Sequence, residues 1–334
     1  MGVNTLARAK EQQNDEFYTQ LTDIEKEMKY YKEHFKGKTI FCNCDDPEYS
    51  NFWKYFELQF ENLGLKKLIA THYEREIPSY KLELMQDVDG DGKITGKDIV
   101  KTTLKQNGDF RSPECIEILK EADIVITNPP FSLFREYLAQ LIEYDKKFII
   151  IGNQNALHYK EVFPLFQQNK IWLGATNFTG GAAFFIGSKD LYDPAKMSNP
   201  KHAYIKDDKL YWRVNGVRWI TNLDIDARHE ELIMYKTYTP EEYPHYTNFD
   251  GIDIPDINSI PNDYFGAMGV PDGFLQRYNP DQFEIIGLGC GDLAKQIGIT
   301  KNHRGRTDLA FLDANGNPKC PYSRILIRRK RNEN

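Results

Sequence analysis

Residues 122–131 read A-D-I-V-I-T-N-P-P-F, and the fold turns on how that stretch is understood. Ile124, Val125 and Ile126 are a short β-branched run, the pattern of a strand buried on both faces of a parallel sheet. Pro129 and Pro130 stop it, because they fix φ, remove two N–H donors and keep Asn128 out of the helical region. A stiff corner at a strand's carboxyl end is where open α/β sheets place their ligands. This corner offers the Asn128 amide, proline carbonyls that no ladder can use, and the face of Phe131. The set suits a flat ring bearing an amino group, with two acceptors for its N–H bonds and a phenyl ring to stack on it. A strand-ending turn with a core phenylalanine is the plainer reading. The strand before it, and Asn and Phe at these places, favour a functional site.

Outward from that strand the chain alternates strand and helix. Residues 39–44 read as a first central strand, 65–71 as a second and 148–151 as another apolar one ending at Gly152 and Asn153. Helical spacing covers 51–63, ending at Gly64, then 113–120 and the segment carrying Phe134, Tyr137, Leu138 and Leu141. Thr22 with Glu25 has capping-box spacing and predicts one helix onward through Phe35, closed by Gly37. Between Tyr80 and Leu104 the pattern alternates and predicts a hairpin. The order describes a doubly wound α/β sheet with helices on both faces. Beyond residue 155 periodicity weakens. Stretches 171–173, 182–186, 210–214 and 218–221 read as strands completing or flanking the sheet, and 284–288 and 325–327 as late strands in a loop-rich region. The domain reading is a polar arm at 1–14, a ligand-binding domain at 15–225 and a second region at 226–334.

With 334 residues, 40% of them hydrophobic, the chain can bury a large core. Its formal charge of −6 means that any polyanion must meet a local basic surface. The candidates are the clusters containing Arg304 and Arg306, either able to read guanine bidentately, and Arg328 within 324–331. No run reaches membrane-spanning length and no secretory signal is present, which points to a cytoplasmic protein. The five cysteines include no C-x-x-C pair, and the seven histidines show no metal-ligand spacing, so a structural zinc site is not expected. Asp87, Asp89, Asp91 and Asp98 fit the spacing of a calcium loop, yet their flanks alternate like strands and Asp-Gly steps make good hairpin turns. A surface hairpin without metal is preferred.

Two more corners carry chemistry. Asn43-Cys44-Asp45-Asp46-Pro47 follows the first strand, where a carboxylate can meet the ammonium of a bound amino acid. Gly108-Asp109-Phe110 offers an acidic acceptor for an adenine amino group, with an aromatic ring to pack on its face.

Asn128-Pro129-Pro130-Phe131 resembles the catalytic N-P-P-[FY] motif of amino-group methyltransferases that use S-adenosylmethionine. Longer runs resemble the EcoRI-type family of adenine-N6 DNA methyltransferases, of the gamma class. They include D-E-F-Y-T-Q (15–20), N-C-D-D-P (43–47), L-G-L-K-K-L-I-A (63–70), G-D-F-R-S (108–112) and D-I-V-I-T-N-P-P-F-S-L-F (123–134). In the second half follow K-I-W-L-G (170–174), T-N-L-D (221–224), M-G-V-P (268–271), N-P-D-Q-F-E (279–284) and C-P-Y-S-R-I-L-I (320–327). The chain departs from the family mainly at 74–107 and 289–319.

The resemblance implies a Rossmann-like class I methyltransferase sheet followed by a target-recognition region at 226–334. It further implies S-adenosyl-L-methionine as cofactor and double-stranded DNA as partner, in a monomer of a bacterium or its phage with a possible separate restriction endonuclease. Asn128, Pro129, Pro130 and Phe131 would then be catalytic. Asn43 with Asp45 or Asp46 would hold the cofactor's methionine end, Asp109 and Phe110 its adenine, and Tyr18, Thr19 and Gln20 would close over it. Methyl transfer to RNA or to a protein glutamine amide stays open beside this, as does a non-catalytic DNA-binding module with a calcium loop.

Overall fold

The computed structural model describes residues 19–74, 79–178, 181–194 and 200–331; the expected arm and Tyr18 lie outside them. The chain packs as two units, one reaching Gln154 and resuming over Gly174–Leu223, the other built from Asn155–Leu173 and the chain from Asp224 onward.

In the first unit the apolar runs become β1 (Thr39–Cys42), β2 (Lys67–Thr71), β3 (Tyr80–Leu84), β4 (Val100–Thr103), β5 (Ile124–Thr127) and β6 (Lys147–Asn153). With β7 (Trp172–Asn177), in which the unit boundary falls, and β11 (Val217–Thr221) they form one eight-stranded sheet in the order β4-β3-β2-β1-β5-β6-β11-β7. The pairs β1/β2, β1/β5 and β5/β6 are parallel, while β3 runs antiparallel to β2 and β4, and β11 antiparallel to β6. The parallel strands carry the apolar runs at the centre of the sheet: β1 and β5 are buried along their length, and Phe148 to Ile151 of β6 have no exposure. From β1 the chain moves outward to β2 and later returns to β5 on the other side. The crossover helices Asn51–Leu58 with Phe60–Leu63, and Phe134–Glu143, therefore fall on opposite faces if both connections are right-handed. Side chains start the helices where the sequence allows: Ser50 accepts from Trp53 N, and Ser112 from Cys115 N ahead of Pro113. Gly64 closes its helix at φ 62°.

The expected long first helix is interrupted. It runs Leu21–Met28 and resumes over Lys32–Phe35, and its cap position is Gln20, with no side-chain cap from Thr22. A tertiary anchor sets its frame instead. Glu27, with no exposure, accepts from Ala175 N, Thr176 N, the Thr176 hydroxyl and Tyr31 OH. Burial pushes the Glu27 carboxyl above its ordinary value, against the pull of those donors.

The 80–104 hairpin is present as β3/β4. The stretches read at 182–186 and 210–214 flank the main sheet: β8 (Ala182–Ser188), β9 (Ala203–Lys206) and β10 (Lys209–Val214) make a separate antiparallel sheet ordered β8-β10-β9.

The second unit holds β12 (Ile252–Asp253), β13 (Met268–Pro271), β14 (Phe283–Leu288), the short pair β15 (Phe311–Leu312) and β16 (Pro318–Lys319), and β17 (Arg324–Arg329). Its sheet is ordered β12-β13-β17-β14, and loops make up most of the remainder.

Candidate active site

The site is built at the carboxyl ends of β1 and β5, neighbouring parallel strands between which the sheet's strand order reverses. Open α/β sheets bind their ligands at such a point, because the chain leaves the two strands in opposite directions. β5 ends at Thr127. Asn128 and Pro129 are buried and Pro130 is extended, with φ −55° and ψ 124°. Phe131 opens a 3₁₀ turn, Phe131–Leu133, fastened by Leu133 N to the Pro130 carbonyl at 2.9 Å, and the helix Phe134–Glu143 continues from it. The half-buried Phe131 ring meets Phe184 of β8 edge-on, with centroids 6.3 Å apart.

Asn43, directly after β1, joins the two corners. Its carbonyl accepts from the Thr127 hydroxyl at the end of β5, and its side-chain oxygen accepts from Tyr137 OH of the helix behind Phe131. Cys44 then takes the left-handed conformation at φ 68°, a cost that the surroundings must hold in place. Burial pushes the Cys44 thiol and the Tyr137 phenol well up, so both stay protonated.

The next two carboxylates face different surroundings. Asp45 is 4% exposed and accepts from Ser50 Oγ at 3.1 Å, which ties it to the start of the helix Asn51–Leu58. Asp46 is half-buried; it accepts from Glu48 N at 2.9 Å and from Tyr80 OH at 3.3 Å, and lies 3.6 Å from His72 Nε2 just past β2. His72 and Tyr80 stack with centroids 4.9 Å apart. Against them Gly108 is obligatory, since φ is +78° and a Cβ there would meet the His72 carbonyl oxygen at 1.9 Å.

Asp109 is gripped by Arg111: Nε to Oδ1 at 2.8 Å, Nη2 to Oδ2 at 2.6 Å, and Arg111 N to Oδ1 at 2.9 Å. That fork holds its carboxyl below the usual range. Phe110 packs edge-on against Tyr137 with centroids 5.0 Å apart, and its carbonyl accepts from Gln140. Thr19 is 1% exposed. Its carbonyl accepts from Asn51 Nδ2 at 2.6 Å, while its Oγ1 is buried with no hydrogen-bond partner among the described residues. Gln20 follows in extended conformation.

Asn43 and Asn128 are thus brought together through Thr127, and Asp109-Phe110 joins them through Tyr137. Sequence reasoning had placed Tyr137 only on an apolar helical face. Arg111, His72 and Tyr80 were also missed; the one local signal was that Arg111 follows an acidic residue two positions on.

Elsewhere, Arg304 and Arg306 are exposed in the second unit, and Arg328 is bonded to Glu284 Oε1 at 2.9 Å. The 87–98 loop links β3 and β4. Carboxylate oxygens of Asp87, Asp89 and Asp91 lie within 4.8 Å of one another at the surface, while buried Asp98 accepts from Val88 N, Asp89 N and Thr95 N. The second unit also contains an arrangement that sequence spacing did not disclose. His158 Nε2 lies 3.2 Å from Asp272 Oδ2, and Nδ1 lies 3.3 Å from Ser323 Oγ.

A doubly wound sheet with N-P-P-F and a carboxylate corner on adjacent strand ends is the arrangement that the resemblance to α/β amino-group methyltransferases implies. The family model described as "Adenine-specific methyltransferase EcoRI" matches residues 5–330. The chain is 44% identical to the Type II methyltransferase M.EcoRI of Escherichia coli, over 98% of this chain and 96% of that protein. It is 37% identical to the Type II methyltransferase M.MpnI of Mycoplasma pneumoniae, over 97% and 98%. The chain belongs to the EcoRI family of adenine-specific methyltransferases, and it is an enzyme that methylates adenine in DNA. No helix among the described residues is long and apolar enough to cross a membrane.

Proposed function

We propose that this chain transfers a methyl group from S-adenosylmethionine to N6 of one adenine in a specific double-stranded DNA sequence, with the base flipped out of the duplex. What carries the reading is the placement of Asn128-Pro129-Pro130-Phe131 on β5 beside the Asn43–Asp46 corner on β1. N6 is out of reach in a stacked pair, which is why extrusion is required. Phe131 stacks on the extruded base. The Asn128 side-chain oxygen and the Pro129 carbonyl accept its two N6 hydrogens, localising on that nitrogen a lone pair otherwise spread into the ring. No strong base is needed, because the proton leaves once the nitrogen has become cationic. Positioning and electrostatics supply most of the rate.

The residues fit the cofactor. Thr19 keeps a buried hydroxyl without a partner among the described residues, and the Asp46 carboxylate stands half-buried at the strand end. When bound, S-adenosylmethionine supplies a methyl group on a sulfonium, which is displaced as a neutral thioether. Asp45 or Asp46 meets its ammonium. Asp109, already oriented by Arg111, accepts from its adenine through the remaining lone pairs of the carboxylate. Residues 15–225 act as the catalytic domain and 226–334 as the target-recognition region, in a monomer that works apart from any restriction endonuclease.

The test is tritium transfer from labelled S-adenosylmethionine to unmethylated genomic DNA, followed by single-molecule sequencing. One modified adenine in one recurring motif is the expected result. Cofactor binding with no incorporation into DNA, but with incorporation into RNA or protein, would overturn it.

A further inference from the structure

We infer that the turn at residues 301–306 is a preorganised contact for the phosphate backbone of duplex DNA, with Asn302 as its positioning residue; this rests on the DNA reading above. Lys301, His303, Arg304 and Arg306 are exposed, whereas Asn302 between them is buried. The Asn302 side chain works inward. Its oxygen accepts from Arg304 N at 2.8 Å and Arg306 N at 3.2 Å, and its amide donates to the Asp308 carbonyl at 3.0 Å and to Cys320 Sγ at 3.4 Å. The backbone closes on itself through Asn302 N to the Arg306 carbonyl and Gly305 N to the Asn302 carbonyl, both at 2.8 Å, with Gly305 at φ +72°. Thr307 Oγ1 to the Gly291 carbonyl and Leu309 N to the Gly289 carbonyl fasten the turn beside the end of β14. The peptide is fixed from within, and its cations are left to solvent.

Those cations are uncommitted. Among the described residues none of Lys301, Arg304 and Arg306 has an ion pair, while Arg111, Arg228, Arg324 and Arg328 bond to Asp109, Asp224, Asp253 and Glu284. In a chain of net charge −6, such charges on an ordered turn are a local anion site. A turn already folded meets phosphates without first being ordered. Phosphate contacts fix register rather than sequence, so a probe of arbitrary sequence reports them.

The experiment uses the full chain and a fluorescent random-sequence duplex, titrated between about 50 and 200 mM KCl. Arg304→Ala with Arg306→Ala should flatten the slope of log K against log salt by about 1.8, at roughly 0.9 per phosphate. Lys295→Ala removes a cation already bonded to Asp292 and should leave the slope where it was. Asn302→Ala keeps every cation but frees the turn. It should weaken duplex binding about tenfold, the scale of ordering one residue's backbone, with S-adenosylmethionine affinity and kcat at saturating DNA unchanged. An unchanged slope in the double arginine variant overturns the inference, as does an equal flattening in Lys295→Ala. If Asn302→Ala does not fold, the arginine pair still decides. A wild-type chain that binds no duplex at all refutes the DNA reading itself.

Discussion

Replacing Tyr137 by phenylalanine removes one oxygen from a ring with no exposure, and it should loosen the catalytic corner from behind. The lost hydroxyl donates to the side-chain oxygen of Asn43, itself 3% exposed, so no water stands ready to replace it. A buried acceptor deprived of its donor costs about 1–3 kcal/mol. The ring keeps its edge-on packing with Phe110, which separates the effect from a cavity. For a unit of this size each kcal/mol lowers Tm by about 2–4 °C, so the variant should melt roughly 2–12 °C below wild type. The functional consequence follows from what Asn43 holds. Released on one side, it supports less well the left-handed Cys44 and the carboxylates beyond it, and S-adenosylmethionine should bind several-fold more weakly. Thermal melting and isothermal titration with the cofactor measure the two effects on one preparation. A Tyr137→Phe protein that melts within about a degree of wild type and binds cofactor equally well would show that the Asn43 junction does not hold the site.

Asn128→Ala should leave cofactor and DNA binding intact and lower kcat on the order of 10²–10³-fold, the scale of losing one preorganised polar contact to a reacting group; single-turnover methylation checks it. Phe131→Ala should lose about 1–3 kcal/mol of stacking, seen as weaker binding of a duplex with a mismatched target adenine and as reduced kcat/KM. In the second unit the hydrogen bond that His158 donates to Asp272 raises the imidazole from 6.5 to about 9. A raised basic group stabilises the fold fully below its unfolded pKa and less as pH climbs through the folded value. Melting should therefore fall between pH 6.5 and 9, and Asp272→Asn should flatten that dependence; equal profiles for the two proteins would remove the pair from the stability of this unit.

The parallel centre of the fold was legible because burial on both faces leaves a mark that sequence cannot hide. Residues 124–126 and 148–151 are uninterrupted apolar runs, and each run is buried throughout. The first helix was misread for the opposite reason. Thr22 and Glu25 have the sequence spacing of a capping box, but the frame was set by Glu27 meeting Ala175 and Thr176, about 150 residues away in the chain. The strands at 182–188 and 209–214 were found, yet periodicity does not say which sheet a strand joins, and they pair with each other beside β9.

The candidate site divides along the same line. N-P-P-F and N-C-D-D are legible because their backbone constraints are contiguous: two prolines at one corner, a turn after a strand at the other. What binds them into one site is not contiguous. Thr127 reaches Asn43 across 84 positions and Tyr137 across 94, and in sequence each is an ordinary threonine or an apolar helix residue. Arg111 shows the difference most sharply. It lies two residues from Asp109, close enough to be read, but its second contact, to Glu136 at 3.4 Å, comes from the helix behind the catalytic corner. Asp109, proposed to meet the cofactor, and the helix behind the proposed catalytic corner therefore share one guanidinium. Removing it with Arg111→Ala should disturb cofactor affinity and kcat together, whereas an arginine that served Asp109 alone would move only the first.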